Sequence, residues 1–254
     1  MAAERDDLRW ANRVARWVRG GDVLDVGCGS NLQSVGHLAV GARTYTGLDP
    51  SLDLDSPKLK DSRGRWGKRT DAGITPRQMM KWMPRVSFSR QTLDQFVQTN
   101  AGQYDAVVMH NVTEHLMDLA GDLKRCAELL RPNGAIVFRH PNYYCWHGHH
   151  LRPRTIGEID PDDAAQAAVI DWSHVRFDPE KHAWIGRTQN RVTLDQLRTT
   201  LEQHFEIERW EERESSREQG IDRLTPEILG QYPEYTRRDL ATISVFVVAR
   251  KRQP

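Results

Sequence analysis

Short apolar runs alternate with amphipathic stretches along the first half of the chain. The apolar runs predict five strands, at Val23–Val26, Thr44–Leu48, Arg85–Phe88, Asp105–Met109 and Gly134–Phe138. The amphipathic stretches predict helices, at residues 5–19, after the first strand to about Val40, at Leu93–Gln98 and at Leu116–Leu130. Strands that alternate with helices favour a parallel sheet with right-handed crossovers. We therefore expect an α/β fold.

The pattern changes after Phe138. Residues 140–190 are rich in His, Pro, Asp and Trp, and regular spacing returns with a helix at Thr193–His204 and two closing strands, at Phe205–Trp210 and Ile243–Ala249. Segments 51–85, 140–190 and 211–240 are longer than ordinary connections. Long insertions in compact α/β domains are usually lids or binding loops. We expect one domain over residues 1–254, with these three segments as a cap over a substrate site.

Charge and composition exclude several classes of protein. The 254 residues include 36 basic and 35 acidic side chains, so neither charge-driven disorder nor attraction of the whole molecule to nucleic acid or anionic membranes is indicated. No apolar run approaches the roughly 18 residues that span a bilayer, and the first twenty residues lack the apolar core of a signal peptide. Three cysteines without a CxxC pair argue against a disulfide framework. We expect a cytoplasmic protein without a membrane partner.

One segment departs from this even balance of charge. Residues 58–90 carry ten basic side chains against Asp61 and Asp71. Such a segment is either a solvated loop or a surface that recruits a phosphate or carboxylate on a substrate. It leaves open a second hypothesis, an enzyme that acts on an acidic polymer such as RNA, although a nucleic-acid partner is not the expectation for the whole chain.

A glycine turn follows the first predicted strand. Gly27 and Gly29 stand directly after Asp25 and Val26, where missing side chains let a ligand approach the backbone. Asp49 comes twenty residues after Gly29, at the end of the second strand, where a carboxylate can accept both hydroxyls of a ribose. The third glycine of the usual dinucleotide pattern is replaced by Leu32, which argues against NAD. A turn that merely connects two elements is the alternative.

Four segments resemble, in order, the motifs of class I S-adenosylmethionine-dependent methyltransferases. They are Val23–Asn31 (VLDVGCGSN), Gly47–Asp49 (GLD), Tyr104–Asp118 (YDAVVMHNVTEHLMD) and Leu129–Phe138 (LLRPNGAIVF). The resemblance covers about residues 22–139 and extends through the two closing strands. It implies a Rossmann-like, seven-stranded, mostly parallel sheet with helices on both faces and an antiparallel last strand. It also implies S-adenosylmethionine as the cofactor.

The resemblance assigns cofactor-binding residues. It places Asp25, Gly27 and Gly29 at the methionine part and Asp49 at the ribose, with Gln91, His110 and Asn111 as further cofactor-binding residues. The acidic residue that often binds the adenine amine after the third strand is missing from residues 89–92. The resemblance also places Glu114 and His115 in a strand-to-helix turn beside the cofactor, and gives His115 a structural role.

Candidate catalytic groups follow the fifth strand. An alcohol that attacks a methyl group at pH 7 gains from a positioned base, whereas a thiol or amine needs little help. Residues 140–150 hold four histidines and three aromatic side chains at the sheet edge where open α/β folds bind ligands. His149 and His150 are the first candidates for the base, and Asp171 and His174 are further candidates that would share a helix face. A divalent cation held by these four residues is an alternative that we do not favour, and a hydrogen-bonded histidine cluster is another.

A looser resemblance bears on the acceptor. The run His147-Gly-His149-His150, and Asn190-Arg191 before Thr193, resemble cytoplasmic methyltransferases that modify sugars and glycans. The sequence therefore predicts O-methylation of a hydroxyl on a sugar, glycan or similar polar metabolite. An RNA or protein methyltransferase and a cofactor-binding module without turnover are the alternatives.

Overall fold

Seven strands form one sheet in the computed structural model of the chain, which describes residues 2–29, 32–57, 73–178 and 183–253. The strands are β1 Asp22–Val26, β2 Thr44–Leu48, β3 Val86–Ser89, β4 Tyr104–His110, β5 Leu130–Pro141, β6 Phe205–Glu214 and β7 Thr242–Lys251. Their order in the sheet is β3-β2-β1-β4-β5-β7-β6. The pairs among β1 to β5 are parallel, and β7 is antiparallel to both β5 and β6. The predicted class I fold is confirmed.

Helices cover both faces of this sheet. The described helices are α1 Ala2–Val18, α2 Leu32–Ala39, α3 Pro76–Trp82, α4 Leu93–Asn100, α5 Leu119–Leu129, α6 Ala164–Ala167, α7 Ala183–Thr188, α8 Leu194–Glu202, α9 Pro226–Gly230 and α10 Arg237–Ala241. In β4, Val108 packs with Val14 of α1, while its neighbour Val107 packs with Leu123 of α5. Successive side chains of a strand point to opposite faces, so a strand covered on both sides reads as a continuous apolar run. None of the described helices is long and apolar enough to cross a membrane.

Several boundaries differ from the predicted ones. The helix predicted from Leu116 begins at Leu119, because Asp118 caps it by accepting a hydrogen bond from the Gly121 amide (3.1 Å). β6 continues to Glu214, past the predicted end at Trp210, because its backbone keeps pairing with β7 as far as Thr242. The added residues are polar and exposed on the outer strand, so they carry no apolar pattern.

The first insertion contains a helix that the sequence pattern did not predict. α3 begins with a capping box of Thr75 and Gln78, and its Met79 is buried against Tyr45 and Phe88. This part of segment 51–85 therefore packs on the sheet as a crossover helix, whereas a lid was expected. Residues 58–72, with most of the basic cluster, lie outside the described residues.

The two later insertions pack against each other. We call residues 141–178 and 215–241 the cap. Their shared apolar cluster contains Tyr143, Tyr144, Trp146, Trp172, Val175, Tyr232 and Leu240. The Trp172 indole donates a hydrogen bond to the Leu240 carbonyl (3.1 Å), which joins the two segments across 68 positions of sequence. Two segments predicted separately thus form one unit, which begins where β5 ends.

Candidate functional site

The glycine turn after β1 is held against the end of β2. Gly27 and Gly29 both have positive φ angles (69° and 62°), a conformation that glycine adopts without strain. A Cβ atom at Gly27 would lie 2.5 Å from a methyl carbon of Val112, so no larger residue fits there. The Gly27 amide donates to the Leu48 carbonyl (2.7 Å), and the Gly29 amide donates to Oδ2 of Asp49 (3.1 Å). The turn and the carboxylate predicted to bind the cofactor therefore lie side by side.

The two acidic residues of this region have different surroundings. Asp49 is almost fully buried, and its Oδ1 accepts hydrogen bonds from the amide (2.9 Å) and hydroxyl (2.7 Å) of Ser51. Asp25 is fully buried within the sheet, where its Oδ2 accepts a hydrogen bond from the Tyr45 hydroxyl (2.7 Å). Asp49 is thus fixed at the carboxyl end of β2, and Asp25 is tied to the neighbouring strand.

The other predicted cofactor residues follow β3 and β4. Gln91 is exposed after β3 and accepts a hydrogen bond from the Ser89 hydroxyl (3.1 Å). The His110 ring stacks on Trp10 of α1, with ring centres 4.6 Å apart. Asn111 has a φ of 57°, and its side-chain oxygen accepts a hydrogen bond from Nε of Arg139 (2.9 Å). All three lie at the edge of the sheet that also carries the glycine turn.

These residues fit a nucleoside cofactor. The open side of a fold such as this lies beyond the carboxyl ends of its strands, and ligands bind there. The glycine turn leaves backbone without side chains at that edge, and Asp49 adds a fixed carboxylate of the type that accepts ribose hydroxyls. The glycine turn after β1 and the Asp49 carboxylate after β2 are therefore suited to bind the methionine part and the ribose of S-adenosylmethionine, respectively.

A buried acid and an oriented histidine lie just beyond β4, in the turn Thr113–His115. Burial raises the pKa of Glu114 to about 8, and its Oε1 lies 3.6 Å from Nε2 of His115. Nδ1 of His115 lies 2.6 Å from the carbonyl oxygen of Thr188. A carbonyl only accepts, so Nδ1 carries the proton and Nε2 of the neutral ring has the lone pair. A general base needs this arrangement.

His115 is a functional candidate that the sequence interpretation missed. Its position in the motif at the end of β4 was recognised, but the resemblance gave it a structural role. The orientation of its ring depends on a carbonyl 73 positions away, at the end of the long insertion. No local sequence pattern shows that contact.

Asn190 fixes the turn that carries these two residues. Its amide donates to the Glu114 carbonyl (2.9 Å), and its side-chain nitrogen donates to the carbonyls of Thr113 (2.6 Å) and Leu116 (3.0 Å). The sequence drew attention to Asn190 only through the looser resemblance. In the structure, this residue ties the end of the second insertion to the end of β4.

Of the two predicted bases, only His150 lies near this turn. Its ring centre is 5.7 Å from that of His115, and burial lowers its pKa to about 4. His149 is buried beside His174 instead, with ring centres 4.9 Å apart, and burial lowers its pKa to about 3. Nδ1 of His149 accepts a hydrogen bond from the Leu151 amide (3.0 Å), so Nε2 of the neutral ring carries the proton. His149 is therefore placed as a hydrogen-bond donor.

The other two predicted catalytic residues do not share a helix face. Asp171 and Trp172 have left-handed φ angles (53° and 65°), which break the spacing that a helix would need. Asp171 instead pairs with Arg223, through two hydrogen bonds of 2.5 Å. Nε2 of the buried His174 lies 3.0 Å from the Tyr143 carbonyl oxygen and donates to it. Across the described residues, no three His, Cys, Asp or Glu side chains are arranged to hold a metal ion.

Comparisons with known proteins agree with this fold. A family described as "Methyltransferase domain" matches residues 2–204. The ubiquinone biosynthesis O-methyltransferase of Aromatoleum aromaticum is 29% identical over 131 residues, which are 52% of this chain and 48% of that protein. The chain thus spans about half the length of the curated relatives it matches.

Two solved structures share the architecture at low identity. An S-adenosylmethionine-dependent methyltransferase from Mesorhizobium loti has a TM-score of 0.53 at 16% identity, with 95% of this chain and 96% of that chain covered. A geranyl diphosphate methyltransferase in complex with S-adenosylmethionine has a TM-score of 0.54 at 14% identity, with coverage of 96% and 85%. Since the family match includes most of the chain and the sheet has the expected strand order, this chain belongs to the methyltransferase-domain family and has the class I methyltransferase fold.

Proposed function

We propose that this enzyme methylates a hydroxyl group on a sugar, glycan or similar polar metabolite. The observation that carries the proposal is the orientation of His115, whose Nδ1 faces the Thr188 carbonyl and whose Nε2 has the lone pair. A hydroxyl nucleophile is much weaker than an amine at neutral pH, so an oriented base favours oxygen as the acceptor atom. The aligned relatives named as O-methyltransferases support the same choice.

The residues then take separate roles. S-adenosylmethionine supplies an electrophilic methyl group when bound, and the fixed turn and Asp49 hold it in position. Nε2 of His115 takes the proton from the acceptor hydroxyl as the new carbon–oxygen bond forms. Ionised Glu114, with Oε1 3.6 Å from Nε2, stabilises the imidazolium that results. His150 borders the same space, His149 donates a hydrogen bond to the acceptor, and His174 and Asp171 hold the cap in place.

A turnover assay with matched variants tests the base. We expect His115→Ala to lower kcat by about 10²–10⁴-fold on sugar hydroxyls, while the affinity for S-adenosylhomocysteine stays within twofold. His150→Ala should act chiefly on the acceptor KM. His204→Ala is the matched control, because His204 follows α8 at the far end of the sheet and should keep normal turnover. Near-normal kcat in His115→Ala would exclude it as the base.

The acceptor atom and the absence of a metal step are tested in the same assay. Methyl glucoside and glucosamine offer a hydroxyl-only and an amine-bearing acceptor of similar shape. Methylation of the amine alone would contradict the proposal. We expect EDTA to leave turnover unchanged, so activity that disappears with EDTA and returns with magnesium would contradict a step carried by His115 alone.

A further inference from the structure

Arg191 is a half-buried cation without a partner of opposite charge among the described residues. Its Nε has no solvent-accessible surface and no acceptor among the described residues. The contact at Nη1 is a long hydrogen bond of 3.4 Å to the Phe177 carbonyl, and the guanidinium carbon lies 5.3 Å from the centre of the Tyr143 ring. No described carboxylate forms an ion pair with it, whereas Arg223 of the cap is paired with Asp171. A partly buried guanidinium without an anion is costly to maintain.

The backbone at this position is fixed in an unfavourable conformation. Arg191 has a φ of 54°, in the left-handed region that residues with a side chain rarely adopt. Two contacts impose it: the Tyr144 hydroxyl donates to the Arg191 carbonyl (2.7 Å), and the preceding Asn190 is bonded to Glu114. The side chain is thereby held under the cap, one residue after Asn190, which binds the turn that carries the proposed base. Such strain, where contacts maintain it, is common at ligand sites.

A second buried donor, on His149, belongs to the same group of packed rings. His149 has its Nε2 proton buried and without an acceptor in the described part of the chain. A series of contacts connects it to Arg191: the guanidinium carbon lies over the Tyr143 ring, the ring centres of Tyr143 and His174 are 5.3 Å apart, and those of His174 and His149 are 4.9 Å apart. Burial keeps both His149 and His174 neutral at pH 7, since their pKa values lie near 3 and 4. Arg191 is therefore the cation of this cluster.

These observations point to an anionic ligand that completes the site. We infer that Arg191 forms an anion subsite under the cap and that the methyl acceptor carries a carboxylate or phosphate, with a hydroxyl or ring oxygen on His149. A planar guanidinium suits either anion, because it can donate two parallel hydrogen bonds. This inference rests on the proposed O-methylation. The acceptor would then be an acidic sugar, a sugar phosphate or a hydroxy acid.

A binding measurement tests the subsite without any turnover. Inorganic phosphate and acetate are titrated against the melting temperature of the full chain at constant ionic strength set with sodium chloride. We expect stabilisation of the natural protein that Arg191→Met abolishes and Arg191→Lys reduces. Arg176→Met is the matched control: it removes an exposed arginine of the cap that lies over the Tyr232 ring. An equal response in Arg191→Met and Arg176→Met would overturn the subsite. If Arg191→Met does not fold, an Arg191→Lys response identical to that of the natural protein would overturn it as well.

A turnover measurement then links the subsite to the acceptor. Two matched pairs of acceptors are compared. Glucuronate and its methyl ester test for recognition of a carboxylate, and glucose 6-phosphate and glucose test for recognition of a phosphate. We expect the anionic member of one pair to react with at least tenfold higher kcat/KM, and Arg191→Met to remove that preference through KM. Equal use of the charged and neutral members would overturn the subsite while leaving O-methylation intact. Anion binding that depends on Arg191, combined with transfer to amines alone, would support the subsite and contradict the proposed function.

Discussion

Burial of the Glu114 carboxyl lowers the stability of the folded protein at high pH, where the ionised form is the one proposed to assist methyl transfer. Its pKa in the folded protein is about 8, against an ordinary value of 4.5, because the side chain is removed from water. A group whose folded pKa is raised stabilises the fold fully below its unfolded pKa, and this contribution is lost as the pH rises through the folded value. The carboxylate therefore destabilises the protein increasingly from pH 4.5 to 8, by about 1.4 kcal/mol per pH unit.

This burial predicts a variant that is more stable and less active. Glu114→Gln removes the charge at nearly constant shape, so the free energy of unfolding should rise by a few kcal/mol at pH 8 and stay unchanged at pH 4.5. Its kcat should fall, and the rise of kcat with pH towards 8 should disappear. Urea denaturation and pH–rate profiles measure these effects. Glu128→Gln, an exposed acid on α5, is the control and should change neither. Equal stability of Glu114→Gln and the natural protein at pH 8 would contradict the burial argument.

Two glycines separate backbone strain from steric conflict. Gly20 and Gly27 both have positive φ angles, but a Cβ atom meets nothing within 4 Å at Gly20 and lies 2.5 Å from Val112 at Gly27. We expect Gly20→Ala to destabilise the fold by about 1–2 kcal/mol and Gly27→Ala by about 1–3 kcal/mol more. Only Gly27→Ala should weaken binding of S-adenosylhomocysteine, as measured by calorimetry. Adding Val112→Ala should recover part of the loss. Equal effects of the two single variants would mean that the contact with Val112 does not matter.

The Asn190 side chain makes two of the hydrogen bonds that connect the second insertion to the turn after β4. Asn190→Ala leaves the carbonyls of Thr113 and Leu116 without their donor, at about 1–3 kcal/mol for each group that becomes buried and unpaired. We expect at least tenfold lower kcat and faster proteolysis within residues 141–190, with little change in cofactor affinity. Asn100→Ala is the control, because it removes a comparable bond, to the Phe96 carbonyl (2.8 Å), in α4. Unchanged turnover and cleavage in Asn190→Ala would contradict a role in positioning the turn.

Sequence pattern identifies the regular elements and fails where structure depends on distant contacts. β1, β4 and the centre of β5 are buried on both faces, so their apolar runs are unmistakable. The glycine turn and Asp49 are also local signals. The cap has short helices of three to five residues, which give no periodicity, and its core joins Tyr143 to Tyr232. The orientation of His115 likewise depends on Thr188, which no local pattern connects to it.

Acid should destabilise the whole molecule well before its surface carboxylates titrate. Burial lowers the pKa of six histidines to about 3 or 4, namely His37, His140, His147, His149, His150 and His174. A group whose folded pKa is lowered stabilises the fold above its unfolded pKa, near 6.5, and this contribution is lost as the pH falls to the folded value. The raised pKa values of Glu114 (about 8) and Asp122 (about 6) have the opposite effect, because these two groups stabilise the fold as the pH falls. Two such groups stand against six histidines, so the net effect of acid is destabilising.

The expected result is a free energy of unfolding that falls steeply between pH 6.5 and 4. The slope should correspond to uptake of more than one proton on unfolding, as measured by urea denaturation at pH 7, 6 and 5. Because burial is the cause, 0.5 M sodium chloride should leave the slope almost unchanged, whereas repulsion between surface charges would be screened. A flat profile over this range would show that the histidines are less buried than the structure indicates.

The strand order also has a consequence for synthesis on the ribosome. β7 comes after β5 and β6 in the sequence, yet it lies between them in the sheet. Neither β5 nor β6 can therefore complete its backbone pairing before β7 has been synthesised. Until Thr242–Lys251 has emerged, β6 lacks the neighbour it pairs with, and the backbone N–H and C=O groups along the edge of β5 around Val137 are unpaired, between apolar side chains. An unpaired strand edge with apolar side chains is a template for pairing with other chains. Translation that stalls before Thr242 has emerged would therefore yield an aggregation-prone product.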